Sequence, residues 1–317
     1  MSSAAFAGAQ APSRASKWIR WILACIVRPA GDHLRVRGWQ LWFTRALFSL
    51  VRPPRPRGAK ESWVSVGGVR ALRTEYADSD RSSVILYLHG GGYVFGSPRL
   101  HRAITGALAK NAGMPAVSIA YRLAPEDPHP AALVDALAAY SALLDSGISP
   151  NRIVLAGDSA GGHLVASLLA ALSTHKLPMP AAAMLLSPVI DWSAAEATAL
   201  DARERDPFLS PTYARRCGIA MYRDEPPCDL LAVDKTEWPP VLIQVGGTEA
   251  LRTEIATFAD TFSAPQSCLV EIWPGQVHVF QGLATLVPEG RVALRQLGQF
   301  AAQHVHGMRA CRDEPRR

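Results

Sequence analysis

The sequence predicts an α/β protein with a mostly parallel eight-stranded sheet and helices on both of its faces. Three observations predict this class. Apolar strand-like runs alternate with helix-like runs, two glycine-rich motifs each follow a strand-like run, and a basic aromatic segment precedes the alternation. The 317 residues, 49% of them hydrophobic, are enough to bury the core of one such domain and an accessory segment.

Eight apolar runs are predicted as strands and five longer runs as helices. The strand-like runs lie near residues 62–66, 69–75, 84–88, 115–120, 152–156, 182–187, 240–245 and 268–273. The helix-like runs lie near 100–112, 130–145, 160–174, 251–263 and 290–304. The first two strand-like runs are expected to form an antiparallel pair. The remainder continue as strand–helix–strand units, which favour parallel pairing.

The two glycine-rich motifs indicate acyl-transfer chemistry. Residues 157–162 read Gly-Asp-Ser-Ala-Gly-Gly and contain G-x-S-x-G, a tight strand-to-helix turn that exposes the serine Ser159 as a nucleophile. Residues 89–92 read His-Gly-Gly-Gly, a loop whose backbone N–H groups bind a developing oxyanion. A helix N-cap role for Ser159 would not explain the surrounding glycines. We therefore interpret Ser159 as a catalytic nucleophile.

A nucleophilic serine needs a base, and the base needs a carboxylate that orients it. His278 follows the strand-like run 268–273 and the loop 274–277, so it is expected at the carboxyl end of the sheet as the base. Glu249 follows the run 240–245 and is the expected acid. Glu254 lies about one helical turn farther on and is interpreted as a solvated helix charge.

Taken together, these motifs resemble the hormone-sensitive-lipase-like family of α/β-hydrolases, which contains the bacterial family IV esterases. The resemblance spans residues 60 to 305. Its markers are the stretches 89–93, 118–126, 157–162, 186–191, 206–209 and 278–280. The stretch Tyr-Arg-Leu-Ala-Pro-Glu at 121–126 is particularly specific, because catalysis by a triad does not require it. The chain departs from the family pattern at two places. Glu249 is followed by Ala-Leu, where the family usually has Pro-Leu or a similar pair, and residues 274–275 are Pro-Gly, where the family usually has an acidic residue followed by glycine.

The resemblance implies an α/β-hydrolase fold with a helical cap and a defined set of site residues. The implied oxyanion donors are the backbone N–H groups of Gly91, Gly92 and Ala160. The residues that support the site are His89, Tyr93, Asp158, Arg122 and Glu126. The cap is expected to comprise residues 1–55, joined to the catalytic domain 56–317 by the proline-rich stretch 53–58, and a second insertion near 192–235. In that insertion, Tyr213, Met221 and Tyr222 are expected to pack.

Residues 1–60 hold eleven Lys/Arg and one acidic residue in a chain of net charge +6. Four of the eight tryptophans also lie there: Trp18, Trp21, Trp39 and Trp42. Lys17, Arg20 and Arg28 share one helical stripe. The resemblance implies that these helices form a lid whose aromatic side chains face the acyl pocket. In a second interpretation, compatible with the first, a basic aromatic helix rests on anionic lipid.

These features predict a serine carboxylesterase for short- to medium-chain esters. Amidase or lactonase chemistry on the same triad, and a non-catalytic ligand-binding protein of the same fold, are the alternatives. The substrate is a small-molecule ester, and we expect no metal, organic cofactor or nucleic acid. A weak membrane-surface contact and a homodimer are left open. The five cysteines are scattered along the chain, which favours a reducing compartment. Arg20 interrupts the one stretch that is similar to a signal-peptide core, so we expect a cytoplasmic location.

Overall fold

A computed structural model of the protein describes residues 5–6, 11–223, 228–264 and 267–310. Its strands are β1 (Ala5–Phe6), β2 (Lys60–Val66), β3 (Val69–Glu75), β4 (Val84–Leu88), β5 (Ala116–Ile119), β6 (Ile153–Asp158), β7 (Ala182–Leu186), β8 (Val241–Gly246) and β9 (Cys268–Trp273). Its helices are α1 (Arg14–Ile22), α2 (Arg28–His33), α3 (Gly38–Leu50), α4 (Arg102–Ala112), α5 (Ala131–Asp145), α6 (Ala160–Thr174), α7 (Ala195–Asp201), α8 (Pro211–Tyr222), α9 (Arg252–Asp260) and α10 (Pro288–Ala310). A π-helix (Leu23–Val27) joins α1 to α2, and 3-10 turns occupy Pro150–Arg152 and Phe280–Leu283.

The described strands form one sheet in the order β1-β9-β8-β7-β6-β4-β5-β3-β2. β3 is antiparallel to both β2 and β5, and the other neighbouring pairs are parallel. The eight predicted strands are confirmed. A ninth strand, β1, adds two residues along β9, with Ala5 opposite Glu271. Two residues are too few to carry an alternating pattern, so the sequence did not predict this strand.

Helices cover both faces of the sheet, as predicted. In β4, Ile85 and Tyr87 belong to the apolar cluster that contains residues of α4 and α10. Their neighbours Leu86 and Leu88 belong to the cluster that contains residues of α5, α6 and α9. Because successive side chains of a strand point to opposite faces, every residue of β4 is buried. In the described residues, each helix is too short or too polar to cross a membrane.

The segment before β2 packs against the insertion after β7. Arg28, 2% exposed, forms ion pairs with Asp32 and with Asp201 of α7. Asp32 also accepts a hydrogen bond from Ser210 at 2.8 Å, and Arg216 of α8 donates to its backbone carbonyl at 2.9 Å. Arg28, which shares a helical stripe with Lys17 and Arg20 by spacing, is therefore buried. This charge is buried because carboxylates from two segments surround it.

The tryptophans of the N-terminal segment do not point inward. Between 60% and 73% of the surface of each is exposed: Trp18, Trp21, Trp39 and Trp42. The expectation that these aromatics face an acyl pocket is wrong for all four, because Ser16, Leu41 and Thr44 occupy the inner sides of their helices. In the second insertion, Met221 and Tyr222 are buried and Tyr213 is half-buried against the core, so these three residues pack as predicted.

Candidate active site

Ser159 lies at a strained turn between β6 and α6. Its backbone has φ 53° and ψ −118°, a conformation that residues with a side chain rarely adopt. The turn is close to the neighbouring strand, because a Cβ on Gly161 would lie 2.0 Å from the carbonyl oxygen of Leu88. Only glycine fits at position 161 without displacing β4. The result is a partly exposed serine hydroxyl at the carboxyl end of the central strand.

The three residues predicted as a triad form a continuous hydrogen-bonded chain. His278 Nε2 lies 2.8 Å from Ser159 Oγ, and His278 Nδ1 lies 2.8 Å from Glu249 Oε2. Glu249 is fully buried and His278 is 5% exposed. The residues come from three separate strand ends, those of β6, β8 and β9, which meet at the same edge of the sheet. The geometry permits proton transfer from the serine to the imidazole.

The Glu249 carboxylate is held by two further donors. The Ser187 hydroxyl donates to its Oε1 at 2.6 Å, and the backbone N–H of Gly246 donates to the same oxygen. Burial disfavours the imidazolium of His278, but the adjacent Glu249 carboxylate outweighs burial and raises the pKa of His278 above its ordinary value. The arrangement therefore favours a histidine that accepts a proton readily.

The glycine-rich loop lies against the residue before Ser159, because the backbone N–H of Gly90 donates to Asp158. Gly91 has φ +120°, and a Cβ there would lie 2.1 Å from the carbonyl oxygen of Phe95. Gly92 has φ +61° and lies against the Cys217 side chain of α8. Neither amide donates a hydrogen bond to another described residue. Ala160 is the first residue of α6, where backbone N–H groups have no partner within the helix. The backbone N–H groups of Gly91, Gly92 and Ala160 are thus free of described acceptors, as the predicted oxyanion donors would need to be.

Asp158 joins the oxyanion loop to the serine turn. It is 3% exposed and accepts hydrogen bonds from the backbone N–H of Gly90 at 2.9 Å and from the Tyr87 hydroxyl at 2.6 Å. His101 Nε2 lies 3.3 Å from its second oxygen. Although burial favours the neutral acid, the His101 ring and these donors hold the pKa of Asp158 below its ordinary value. An ionised Asp158 fixes the first residue of the glycine run.

His89 and Tyr93 support the same loop from two sides. The His89 ring stacks on Tyr121 at 4.3 Å, and the Tyr121 hydroxyl donates to the His89 carbonyl at 2.6 Å. Burial and neighbouring His101 lower the pKa of His89 to about 3, so this ring is neutral at pH 7. The Tyr93 hydroxyl lies 2.9 Å from Nδ1 of buried His163. Both contacts are structural rather than part of the triad.

Arg122 and Glu126 make separate contacts away from the triad. Arg122 forms a two-pronged ion pair with Asp135 of α5. Glu126 accepts two hydrogen bonds from Arg45 of α3, both between 2.8 and 2.9 Å. Arg45 also donates to the carbonyl of Val94 at 2.7 Å. Arg45 thereby ties α3 both to Glu126 and to the loop that carries Gly91 and Gly92.

Ser187 and Asp206 contact the triad region, and no role was predicted for either residue from the sequence. Asp206 accepts hydrogen bonds from the backbone N–H groups of Ala250 at 2.9 Å and Phe208 at 2.8 Å. Burial raises the pKa of Asp206 to about 6. Their importance could have been predicted from the family marker stretches, because Ser187 lies in 186–191 and Asp206 in 206–209. Triad chemistry alone does not explain either stretch.

Glu254 is not the solvated helix charge that the sequence predicted. It is 2% exposed, and its Oε1 accepts a hydrogen bond from the backbone N–H of Ile190 at 2.9 Å. Burial raises the pKa of Glu254 to about 8. The first turn of α9 faces the loop after β7, a long-range contact that helical spacing cannot reveal. Among the described residues, no cluster of three His, Cys, Asp or Glu side chains could hold a metal ion.

Comparisons with known proteins identify the family of this chain. A family model described as alpha/beta hydrolase fold matches residues 85–282. The chain is 38% identical over 242 residues to an acetyl-hydrolase of Streptomyces hygroscopicus, a match that covers 75% of this chain and 81% of that protein. An esterase of Acinetobacter venetianus is 30% identical over 245 residues, covering 75% and 80%. A crystal structure of an esterase from the bacterial hormone-sensitive lipase family has a TM-score of 0.83 and 32% identity, covering 93% of this chain and 100% of that one.

Proposed function

The chain belongs to the α/β-hydrolase fold family, among its hormone-sensitive-lipase-like esterases, and from this premise we propose that it is a serine carboxylesterase acting through an acyl-enzyme. Hydrolysis of carboxylic esters is the activity that its relatives share. The serine mechanism is our proposal. It rests chiefly on one observation: the unbroken chain of hydrogen bonds from Ser159 Oγ through His278 to buried Glu249.

In the proposed first half-reaction, Ser159 Oγ attacks the ester carbonyl carbon while its proton moves to His278 Nε2. The carbonyl π-bond electrons move to oxygen, and the backbone N–H groups of Gly91, Gly92 and Ala160 bind the oxyanion. Glu249 stabilises the imidazolium at Nδ1 without taking the proton. Collapse of the tetrahedral intermediate breaks the bond to the alcohol oxygen, and His278 protonates the departing alcohol.

The second half-reaction repeats these steps with water. His278 accepts a proton from the water, whose oxygen attacks the acyl carbonyl of the Ser159 ester. The same three amides bind the second oxyanion. When this intermediate collapses, Ser159 leaves and regains its proton from His278, and the carboxylic acid is released. Both half-reactions use one base and one set of donors, so loss of either slows both half-reactions.

We propose short- to medium-chain esters as substrates. The relative from Streptomyces hygroscopicus carries the name acetyl-hydrolase, which supports small acyl groups. We also propose that residues 1–55 and 192–235 form one cap above the catalytic domain, since Arg28 and Arg216 join the two segments. The four described cysteines are unpaired, which supports a cytoplasmic location. Cys311 lies outside the described residues.

The triad variants test the proposal. Ser159→Ala and His278→Ala should each lower kcat on p-nitrophenyl acetate by roughly 10⁴-fold or more, and the double variant should lose no more than either alone, because the residues act as a unit. Initial rates on p-nitrophenyl esters from acetate to palmitate should be highest at short to medium chain length. Additive losses in the double variant would contradict the shared mechanism.

A covalent probe separates this enzyme from the alternatives. A fluorophosphonate should label the wild-type protein at Ser159 and leave Ser159→Ala unlabelled. Failure to label the folded wild type would favour a ligand-binding protein of the same fold. Faster turnover of matched p-nitroanilides or lactones than of p-nitrophenyl esters would instead assign amidase or lactonase activity.

A further inference from the structure

Exposed apolar side chains are concentrated in the N-terminal segment. Eleven of the sixteen exposed large hydrophobic residues in the described part of the chain lie between positions 18 and 51. The remaining five are single residues spread from position 134 to position 292. Scattered exposed apolar residues are ordinary, but a group of this size containing four tryptophans indicates an interaction surface.

The exposed residues follow helical spacing. On α3 they are Trp39, Trp42, Phe43, Leu47 and Leu50, which recur at intervals of three and four residues. The opposite side of this helix carries buried Leu41 and Thr44. α3 is therefore apolar on the side that faces solvent as well as on part of its inner side. A surface helix ordinarily exposes polar residues there.

The first helical stretch repeats this arrangement. Trp18, Trp21, Ile22 and Ile26 are exposed, and the two tryptophan rings meet edge to face at 6.0 Å. We call the exposed apolar side chains of 18–26 and 39–50 the outer cap face. The structure places no described element over it.

Positive charge predominates in the segment that carries the outer cap face. Residues 1–60 contain one acidic residue, Asp32, which forms ion pairs with buried Arg28 and with Arg205. Five basic residues that flank the face make no ion pair with a described carboxylate: Arg14, Lys17, Arg20, Arg35 and Arg37. The surface therefore combines tryptophans with uncompensated positive charge.

We propose that the outer cap face binds the surface of an anionic phospholipid membrane. Tryptophan rings prefer the boundary between headgroups and acyl chains, while Lys and Arg attract anionic headgroups. A second copy of the chain fits less well, because a symmetric contact would bring two positive surfaces together. The attachment goes beyond ester hydrolysis and does not depend on the triad.

Binding there would place the membrane beside the catalytic centre. The inner side of α3 reaches the oxyanion loop, where Phe48 stacks on Phe95 at 4.5 Å. Ser16 of α1 donates to Gln276 at 3.1 Å, two residues before His278. The helices that carry the outer cap face thus lie directly against both sides of the site. Amphiphilic esters dissolved in the membrane surface would be concentrated near Ser159.

Cosedimentation with lipid vesicles tests the proposal on the full chain. One vesicle preparation contains equal parts of phosphatidylglycerol and phosphatidylcholine, and the other contains phosphatidylcholine alone. The test variant replaces Trp18, Trp21, Trp39 and Trp42 with serine. A matched control replaces Val134 and Leu286, two exposed apolar residues outside the cap, with serine. Circular dichroism and turnover of p-nitrophenyl acetate check that each variant is folded.

The wild type and the control should bind the anionic vesicles. Binding should weaken between 0.1 and 0.5 M salt, because the distance over which salt leaves charges unscreened falls below about 10 Å in this range. The tryptophan variant should lose about tenfold or more in partition coefficient. Equal binding of variant and wild type would overturn the proposal. The proposal would also be overturned if the wild type did not bind vesicles but formed a concentration-dependent dimer, or bound duplex DNA, and the tryptophan variant lost that interaction. The outer cap face would then be assigned to that other partner.

Discussion

The guanidinium of Arg28 donates through Nε to the backbone carbonyl of Asp206 at 3.0 Å, and this bond joins the N-terminal helices to the catalytic centre. The Asp206 carboxylate in turn accepts from the backbone N–H of Ala250, the residue after Glu249. One buried arginine therefore connects three segments that lie far apart in sequence. The position of the proposed acid depends on a contact made by a residue more than two hundred positions earlier.

Arg28→Ala should destabilise the protein and slow turnover. The substitution leaves the partly buried Asp201 carboxylate without its partner, and breaking a buried ion pair in this way costs about 3 kcal/mol. We expect a lower urea midpoint and a reduced kcat/KM on p-nitrophenyl acetate. Arg35→Ala, at an exposed position of the same segment, is the control and should change neither. Matching urea midpoints for the two variants would show that Arg28 does not hold the segments together.

Ser187→Ala should lower kcat without changing KM. The Ser187 hydroxyl donates to Glu249 and accepts from the backbone N–H of Val279 at 3.1 Å, so it holds the acid and the residue after His278 in register. Loss of these bonds should reduce kcat by about tenfold, equivalent to roughly 1.4 kcal/mol. The acid limb of the pH profile should also shift, which a purely structural loss would not produce.

A matched control exists for this serine. Ser167 is also buried, and its hydroxyl lies 3.4 Å from His163, away from the triad. Ser167→Ala should leave both kcat and the pH profile near those of the wild type. An equal loss in the two serine variants would show that Ser187 supports packing only.

Glu249→Gln should slow turnover and move the acid limb of kcat/KM to lower pH. In the wild type the Glu249 carboxylate raises the pKa of His278, and only the neutral imidazole can accept the Ser159 proton. Activity is therefore lost as the pH falls through this raised pKa. With glutamine, the largest influence that raises the pKa of His278 is gone, and burial is opposed only by the more weakly acting Asp206 and Asp158, so the pKa should fall. We expect kcat at pH 8 to fall by about 10³-fold or more. An unshifted acid limb would contradict the assignment of Glu249.

The sheet and the main site residues could be predicted because their signals are local. A continuous apolar run such as 241–246 is buried on both faces, so few other structures suit it. The G-x-S-x-G turn requires its glycines within four residues of Ser159, and the backbone geometry there follows from those glycines. His278 and Glu249 could be placed because each follows a strand.

Contacts between distant segments could not be predicted. Position in a helix predicted a solvated charge for Glu254 and only a shared basic stripe for Arg28, yet each meets a loop contributed by a different part of the chain. The exposed tryptophans show that the same limitation applies to apolar residues. Helical spacing shows which residues share a face, but it does not show whether that face meets the core or the solvent.

The buried Glu254 carboxyl should make the stability of the protein fall as pH rises. With its pKa at about 8 when folded and near 4.5 when unfolded, the folded state holds an extra proton between these values. The free energy of unfolding should therefore decrease across this window by up to about 1.4 kcal/mol per pH unit. Asp191 and Glu196 lie near this carboxyl and oppose its ionisation further.

Glu254→Gln should remove this dependence while preserving activity at neutral pH, because glutamine resembles the protonated acid and can still accept from Ile190. Urea midpoints at pH 6, 7, 8 and 9 should fall less in the variant than in the wild type, so that the variant is the more stable protein at pH 9. Glu237→Gln, at an exposed position, should keep the wild-type slope. Parallel slopes for Glu254→Gln and the wild type would mean that Glu254 is ionised in the folded protein.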